Sequence, residues 1–195
     1  GKNYLLSYER NNKEFNPSGA ALTPDREAID AQWGQYFYKR MNLRLRGQRY
    51  RDGLSTNNSQ TTNLYGVNVV GLPFQNNRFN VNADLSFREL NNQNDTVDQD
   101  YLSFNLNLAM PVNQQWRNRI SYQWQEQDNQ ANGDVSHRQF ISIGADYSDE
   151  FQGWKTAISP SVNYSEDLDA RDEVASNLSL GLVMNASRNG HSEVV

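Results

Sequence analysis

Apolar and polar residues alternate with a period of two along most of this chain, and helical periodicity hardly appears. In the clearest stretch Phe79, Val81, Ala83, Leu85 and Phe87 interleave with Asn80, Asn82, Asp84 and Ser86. Leu102, Phe104, Leu106 and Leu108 alternate with Ser103, Asn105 and Asn107, and Leu178, Leu180, Leu182 and Met184 with Ser179, Gly181, Val183 and Asn185. Successive side chains of a strand point to opposite faces, so each stretch predicts a strand with one apolar face and one small, polar face. Extended along the chain, the pattern predicts ten strands, near 3–10, 29–38, 42–51, 61–70, 78–89, 99–109, 116–125, 138–147, 154–165 and 175–185. Gln35 falls on the apolar face of the second, and Asn118 is a lesser blemish. Pro160 interrupts the ninth, and because proline cannot donate to a ladder it predicts a bulge or a sheet edge there.

The links near 39–41, 71–77, 110–115 and 148–153 are short and turn-like, with Gly71, Pro73, Pro111 and Gly153. Those near 11–28, 52–60, 90–98, 126–137 and 166–174 are mostly longer, polar and rich in Asn and Asp. Short and long alternate, so consecutive strands are antiparallel, with all short turns at one end and all long loops at the other. Residues 1–195 thus form one domain with no internal linker.

Alternation alone does not say whether the apolar face looks onto a core or onto lipid. Composition bears on this. The chain holds 26 Asn and 15 Gln but only 4 Lys beside 14 Arg, so its polar positions are mostly neutral amides. Mean hydropathy is −0.87, yet 22 aromatic residues separate the chain from disordered sequences. No apolar run approaches the roughly 18 residues of a membrane helix. Strands of about 10–12 residues do match the tilted length that crosses a bilayer, whereas soluble strands average about 5–6. Large aromatics gather towards strand ends, Trp33, Trp116, Trp124 and Trp154 among them, where an interfacial girdle places half-wet rings.

With these features the chain resembles the bacterial outer-membrane β-barrels over essentially its whole length. The resemblance is architectural and rests on no family-defining motif. It implies an all-β, antiparallel transmembrane barrel in the outer membrane, with short turns in the periplasm and long loops outside. Barrels of this class commonly finish on a strand ending in Phe or Trp, whereas this chain ends Gly190, His191, Ser192, Glu193, Val194, Val195. Residues 187–191 suit another short turn and 192–195 the start of an eleventh strand, which leaves two architectures open: a segment of a larger barrel, or a complete ten-stranded barrel with a tail. In the barrel Phe79, Val81, Leu85, Leu102, Phe104, Leu106, Leu178, Leu180 and Leu182 would face lipid. Asn80, Asn82, Asp84, Asn105 and Asn107 would line the lumen.

The net charge of −5 is unevenly spread. The five long loops with their flanks carry four cations, Lys13, Arg26, Arg51 and Arg171, against sixteen acids, a net −12 that leaves +7 for the rest of the chain. Glu89, Asp95, Asp98, Asp100, Glu126, Asp128, Asp134, Glu166, Asp167, Asp169, Asp172 and Glu173 make most of an acidic rim. Two roles are open to it: a solvated loop surface, or divalent-cation bridging to lipopolysaccharide phosphates, since clustered carboxylates suit hard cations. Arg44, Arg46, Arg78, Arg117 and Arg119 fall on the polar face near short turns, with Lys39 and Arg40 in such a turn. They form either a basic collar favouring anions or wall ion pairs with Asp30, Asp84 or Asp146. Arg49 faces the apolar side near the outer rim, where a guanidinium can snorkel.

Asp134, Ser136 and His137 lie within four residues in a predicted loop, too local for a triad, whose members converge from separated segments. The absence of cysteine excludes thiol chemistry, no zinc or phosphate-loop signature occurs, and no cofactor is implied. A pI near 5.0 argues against nucleic acid as a partner. The expected function is a non-enzymatic channel or export conduit, lined by Asn, Ser, Gln and Arg, that passes small solutes or a polysaccharide. A structural sheath or adhesin holding a partner protein is the alternative, and a hydrolase at the rim a third. Expected partners are outer-membrane lipid and lipopolysaccharide, with further barrel strands or a protein partner also open.

Overall fold

A computed structural model describes residues 2–12, 25–37, 40–73, 79–168, 174–188 and 191–194. Lys13, Lys39, Arg78, Asp169, Arg171, Asp172 and Glu173 lie outside the described residues. The chain runs through β1 (Lys2–Asn11), β2 (Arg26–Phe37), β3 (Met41–Asp52), β4 (Gln60–Gly71), β5 (Asn80–Asn92), β6 (Asp98–Pro111), β7 (Trp116–Asn129), β8 (Asp134–Phe151), β9 (Trp154–Leu168), β10 (Val174–Arg188) and β11 (His191–Val194). They form one sheet in chain order, every neighbouring pair antiparallel. All ten predicted strands are present, and β11 begins within the turn proposed at 187–191. Among the described residues the sheet is open, with β1 and β11 at its edges. Both edge strands run in the same direction, so joining them would require a parallel ladder.

Pairing fixes the two faces. Tyr4, Trp33, Leu45, Val67, Leu85, Phe104 and Trp124 stand opposite one another in one unbroken row across β1 to β7. The next rows add Leu106, Tyr122 and Ile141, then Leu108, Ile120, Ile143, Val162 and Leu180. Val81, Leu102, Leu178 and Leu182 share this face, and so do all four tryptophans; Phe79 lies one residue before β5. Among the described residues no apolar side chain is buried, and Leu180 is 82% exposed and Leu6 77%. The buried polar residues, Asn11, Ser59, Thr62 and Asn92, all sit towards the long-loop end. There Asn92 Oδ1 accepts from the amides of Thr96 at 2.9 Å and Val97 at 3.0 Å, closing the turn between β5 and β6.

Three expectations are corrected. Pro160 makes neither a bulge nor an edge. β9 is an interior strand, and the register with β8 is the same before the gap (Gly144 opposite Ser161) as after it (Tyr147 opposite Ile158). Gly144 admits the proline: a Cβ there would lie 2.9 Å from the Pro160 carbonyl oxygen. The contrast of short and long links is also weaker than the alternation implied. The link 72–79 has eight residues, while 53–59, 93–97 and 130–133 have seven, five and four. Strands extend past their apolar stretches, so Asp98, Glu126, Asp128, Asp134, Glu166 and Asp167, expected in the links, lie on strand ends.

Gly71 has φ +148°, and a Cβ there would come within 2.0 Å of the Arg40 carbonyl oxygen, whereas a Cβ on Gly47 would meet nothing within 4 Å. Gly71→Ala should therefore destabilise the refolded protein by about 1–3 kcal/mol in urea titrations, the scale of backbone strain. Gly47→Ala should be near neutral.

Candidate functional site

The face opposite the apolar one is built of amides and hydroxyls. Asn82, Asn107, Ser121, Ser142, Asn163 and Ser179 stand opposite one another across six strands. Beside them run Asn68, Asp84, Asn105 and Gln123. Several are tied to each other: Asn68 Nδ2 donates to Asn82 Oδ1 at 3.1 Å, Ser142 Oγ to Asn163 Oδ1 at 2.6 Å, and the Ser86 and Ser103 hydroxyls lie 2.7 Å apart. Such neighbours hold one another in place while leaving lone pairs and protons for water or solute.

Shallow hollows follow one another along the polar residues of β7. Arg117 borders one with Asp146 and Ser148, and Arg119 and Ser121 border a second of about 190 Å3 with Asn80, Asn82 and Asn107. Gln123 and Gln125 border a third, of about 210 Å3, with Ser103, Asn105, Arg138 and Phe140. Gln125 and Gln127 reach a fourth, of about 130 Å3, with Ser136 and Arg138. The hollows thus form a file from the short-turn end to the long-loop end. Ser121, Gln123, Gln125, Gln127 and Phe140 were not singled out from sequence. The alternation of the first four is visible there, but which strands flank them is not.

Cations on this face are placed in two ways. Three ion pairs occur among the described residues: Arg26 with Asp52 at 2.5 Å, Arg119 with Asp146 at 2.8 Å, and Arg138 with Asp167 at 2.6 Å. Arg119 is thus a wall pair, supported by a 2.8 Å hydrogen bond from Ser159 to Asp146. Arg46 reaches Asp30 only through an amide, donating to Gln48 Oε1 at 2.6 Å while Gln48 donates to Asp30 Oδ2 at 2.8 Å. Arg44 and Arg117 are exposed and take no part in those three pairs. A glycine stands opposite Arg44 (Gly34), Arg46 (Gly66) and Arg119 (Gly144), so each long side chain has an uncrowded neighbouring strand beside it. Arg88, not foreseen as part of this set, lays its guanidinium 4.0 Å from the centre of the Tyr101 ring.

On the apolar side, beyond the last apolar row at the long-loop end, Glu89, Asp100 and Asp128 face one another on β5, β6 and β7. Asn63 donates to Glu89 at 3.0 Å and Gln130 to Asp100 at 2.7 Å, so amides rather than cations contact them. Desolvation, then repulsion from Glu89, Asp98 and Asp128, raises the Asp100 carboxyl above its ordinary pKa. These acids lie side by side in a row, and among the described residues no group of three His, Asp or Glu converges on a point where a metal ion would sit. Asp134, Ser136 and His137 lie on β8, not in a loop, and strand parity puts His137 on the opposite face from Ser136.

No protein-family model matches the chain, and no curated protein sequence matches it. Solved structures do. The chain is similar to in-vitro folded OmpT, an outer membrane protein of Vibrio cholerae, with a TM-score of 0.56 and 14% identity over 83% of this chain and 56% of that one. It is also similar to the apoprotein form of the FrpB iron transporter from Neisseria meningitidis, with a TM-score of 0.62 and 12% identity over 97% of this chain and 38% of that one. The chain therefore spans about half or less of the length of these structures. At such identities the likeness is one of fold: the chain has the all-β, antiparallel fold of outer-membrane β-barrels.

The native state binds the Asp100 proton more tightly than the unfolded chain does. The charge penalty is therefore present above the raised pKa and is relieved as pH falls through it. Asp100→Asn should stabilise the protein at neutral pH by up to about 1 kcal/mol, the scale of a cross-strand pair. The gain should vanish in acid, as measured by denaturant unfolding at both pH values.

Proposed function

We propose that the chain forms wall of a bacterial outer-membrane β-barrel whose polar face lines a water-filled conduit for small hydrophilic solutes or a polysaccharide. One observation carries this reading. Among the described residues no apolar side chain is buried, although from β1 to β10 one face of the sheet is largely apolar and the other mostly polar. Leaving such a face in water would forfeit about 25 cal/mol for every Å2 of apolar surface, and acyl chains are the cover that a two-faced sheet of this length fits. Trp116 and Trp154 begin their strands at the short-turn end, and Trp124 lies towards the other, as interfacial anchors would. In this arrangement the nine apolar residues from Phe79 to Leu182 named from sequence contact lipid. Asn80, Asn82, Asp84, Asn105, Asn107, Arg44, Arg46, Arg117 and Arg119 face water.

Neutral amides suit passage of a polyol, because they exchange hydrogen bonds with hydroxyls without the strong attraction of a charge. Near the short turns Arg44, Arg46, Arg117, Arg119 and Lys155 outnumber Asp84, Asp146 and Glu150 on this face, which biases that end of the lumen towards anions.

Leu180→Arg should cost about 2–4 kcal/mol in vesicles, as a cation at the lipid midplane does, while Ser179→Arg on the adjacent strand position should cost far less. Equal costs would reverse the two faces. Reconstitution into planar bilayers should give ohmic electrolyte conductance. Replacing Arg44, Arg46, Arg117 and Arg119 with Gln should move the reversal potential in a salt gradient away from anion preference, most at low salt where screening is weak. A barrel that conducts no ions would overturn the conduit.

A further inference from the structure

Phe140 breaks the pattern of the face it occupies. In register it lies between Gln123 and Ser165, and along β8 its same-face neighbours are Arg138 and Ser142. None of the four offers it an apolar partner. Along its own row, from Asn68 on β4 to Asn177 on β10, the other residues are Asp84, Asn105, Gln123 and Ser165, all polar, and nothing in the ladder calls for a benzyl ring. An apolar ring kept at a wet surface gives up burial free energy, and departures from local pattern of this kind collect where a protein meets a ligand.

The ring borders the hollow of about 210 Å3 whose other lining residues are Ser103, Asn105, Gln123, Gln125, Arg138 and Trp124, the last on the opposite face by parity. That volume lies below the about 300–1,000 Å3 of sites for drug-sized molecules, so it holds a single small ring. Its chemistry is one apolar platform edged by hydroxyl and amide groups that both donate and accept. Arg138 is held in place by Asp167, with Nε and Nη2 at 3.0 and 2.6 Å from the same carboxylate oxygen. Its charge is therefore compensated, and the hollow favours a neutral ligand. We infer that the Phe140 hollow is a binding subsite for a neutral pyranose ring, which lays its C–H face on the Phe140 ring and turns its hydroxyls to the surrounding amides. The adjoining hollow shares Gln125 and Arg138, so the next sugar of a chain extends along β7 towards Gln127 and the long-loop end. This inference rests on one part of the conduit reading, the wet polar face, and not on ion conduction through the barrel.

The test uses the full chain in detergent micelles, titrated by calorimetry with maltohexaose, cellohexaose and isomaltohexaose, and with sorbitol as a polyol that has no ring. At least one hexasaccharide should bind, and sorbitol should show no Phe140-dependent heat. Phe140→Ala and Phe140→Leu should weaken saccharide binding about fivefold to tenfold, the scale of one aromatic contact, while Phe140→Tyr should keep it within about twofold. Leu retains the apolar bulk, so loss of affinity there reports the ring and not the fold. Wild-type protein that binds none of the three, or Phe140→Leu that binds as tightly as wild type, overturns the subsite. Ion conductance on the same preparations separates the two readings. Conductance without Phe140-dependent binding overturns the subsite alone, and binding without conductance keeps the subsite and overturns the conduit.

Discussion

Backbone hydrogen bonds between neighbouring strands hold these eleven strands together, because among the described residues neither face buries an apolar side chain. In a soluble sandwich the core would tolerate a frayed ladder. Here an unpaired amide or carbonyl facing hydrocarbon would cost several kcal/mol with nothing to replace its partner. The ladder also sets which residues share a face. A slip of one residue in any strand would carry its arginines and amides to the apolar side and its leucines to the polar side. That penalty explains why the offset between β8 and β9 survives Pro160 unchanged: leaving two positions of the ladder unpaired costs less than inverting half a strand.

Electrostatics on the polar face follows the same economy of partners. Where a carboxylate stands on the adjacent strand, as Asp146 does for Arg119 and Asp167 for Arg138, the pair closes directly across the ladder. Elsewhere the cation contacts a neutral group: the Gln48 amide, which links Arg46 to Asp30 on β2, and the Tyr101 ring for Arg88. Exposed pairs of this kind are worth only about 0–1 kcal/mol each, so they order side chains more than they hold the sheet.

Much of this was legible in the sequence, and the reasons for the rest are physical. Alternation located all ten strands because a half-buried strand writes its period into composition. It failed at strand ends, where residues such as Asp98, Glu126 and Asp128 continue the ladder but are polar on both sides, so no period marks them. The arginines and asparagines of the polar face were identified from parity alone. Their partners were not, because pairing depends on register across a link, and the sequence of one strand does not record the offset of the next. The hollows along β7 escaped for that reason, and Phe140 was taken with the rest of its strand because its neighbours Gln123 and Ser165 are 17 and 25 residues away along the chain.

The two-faced pattern has a consequence for how such a chain is made. Along its strands the unpaired chain mixes apolar residues with asparagine, glutamine and serine, so it is hydrophilic on average and holds no apolar run long enough to cross a bilayer as a helix. Its apolar surface does not exist until strands pair, since only pairing sorts alternate side chains onto opposite sides. The polypeptide can therefore travel unfolded through water as a polar polymer, and it acquires affinity for lipid as a product of folding.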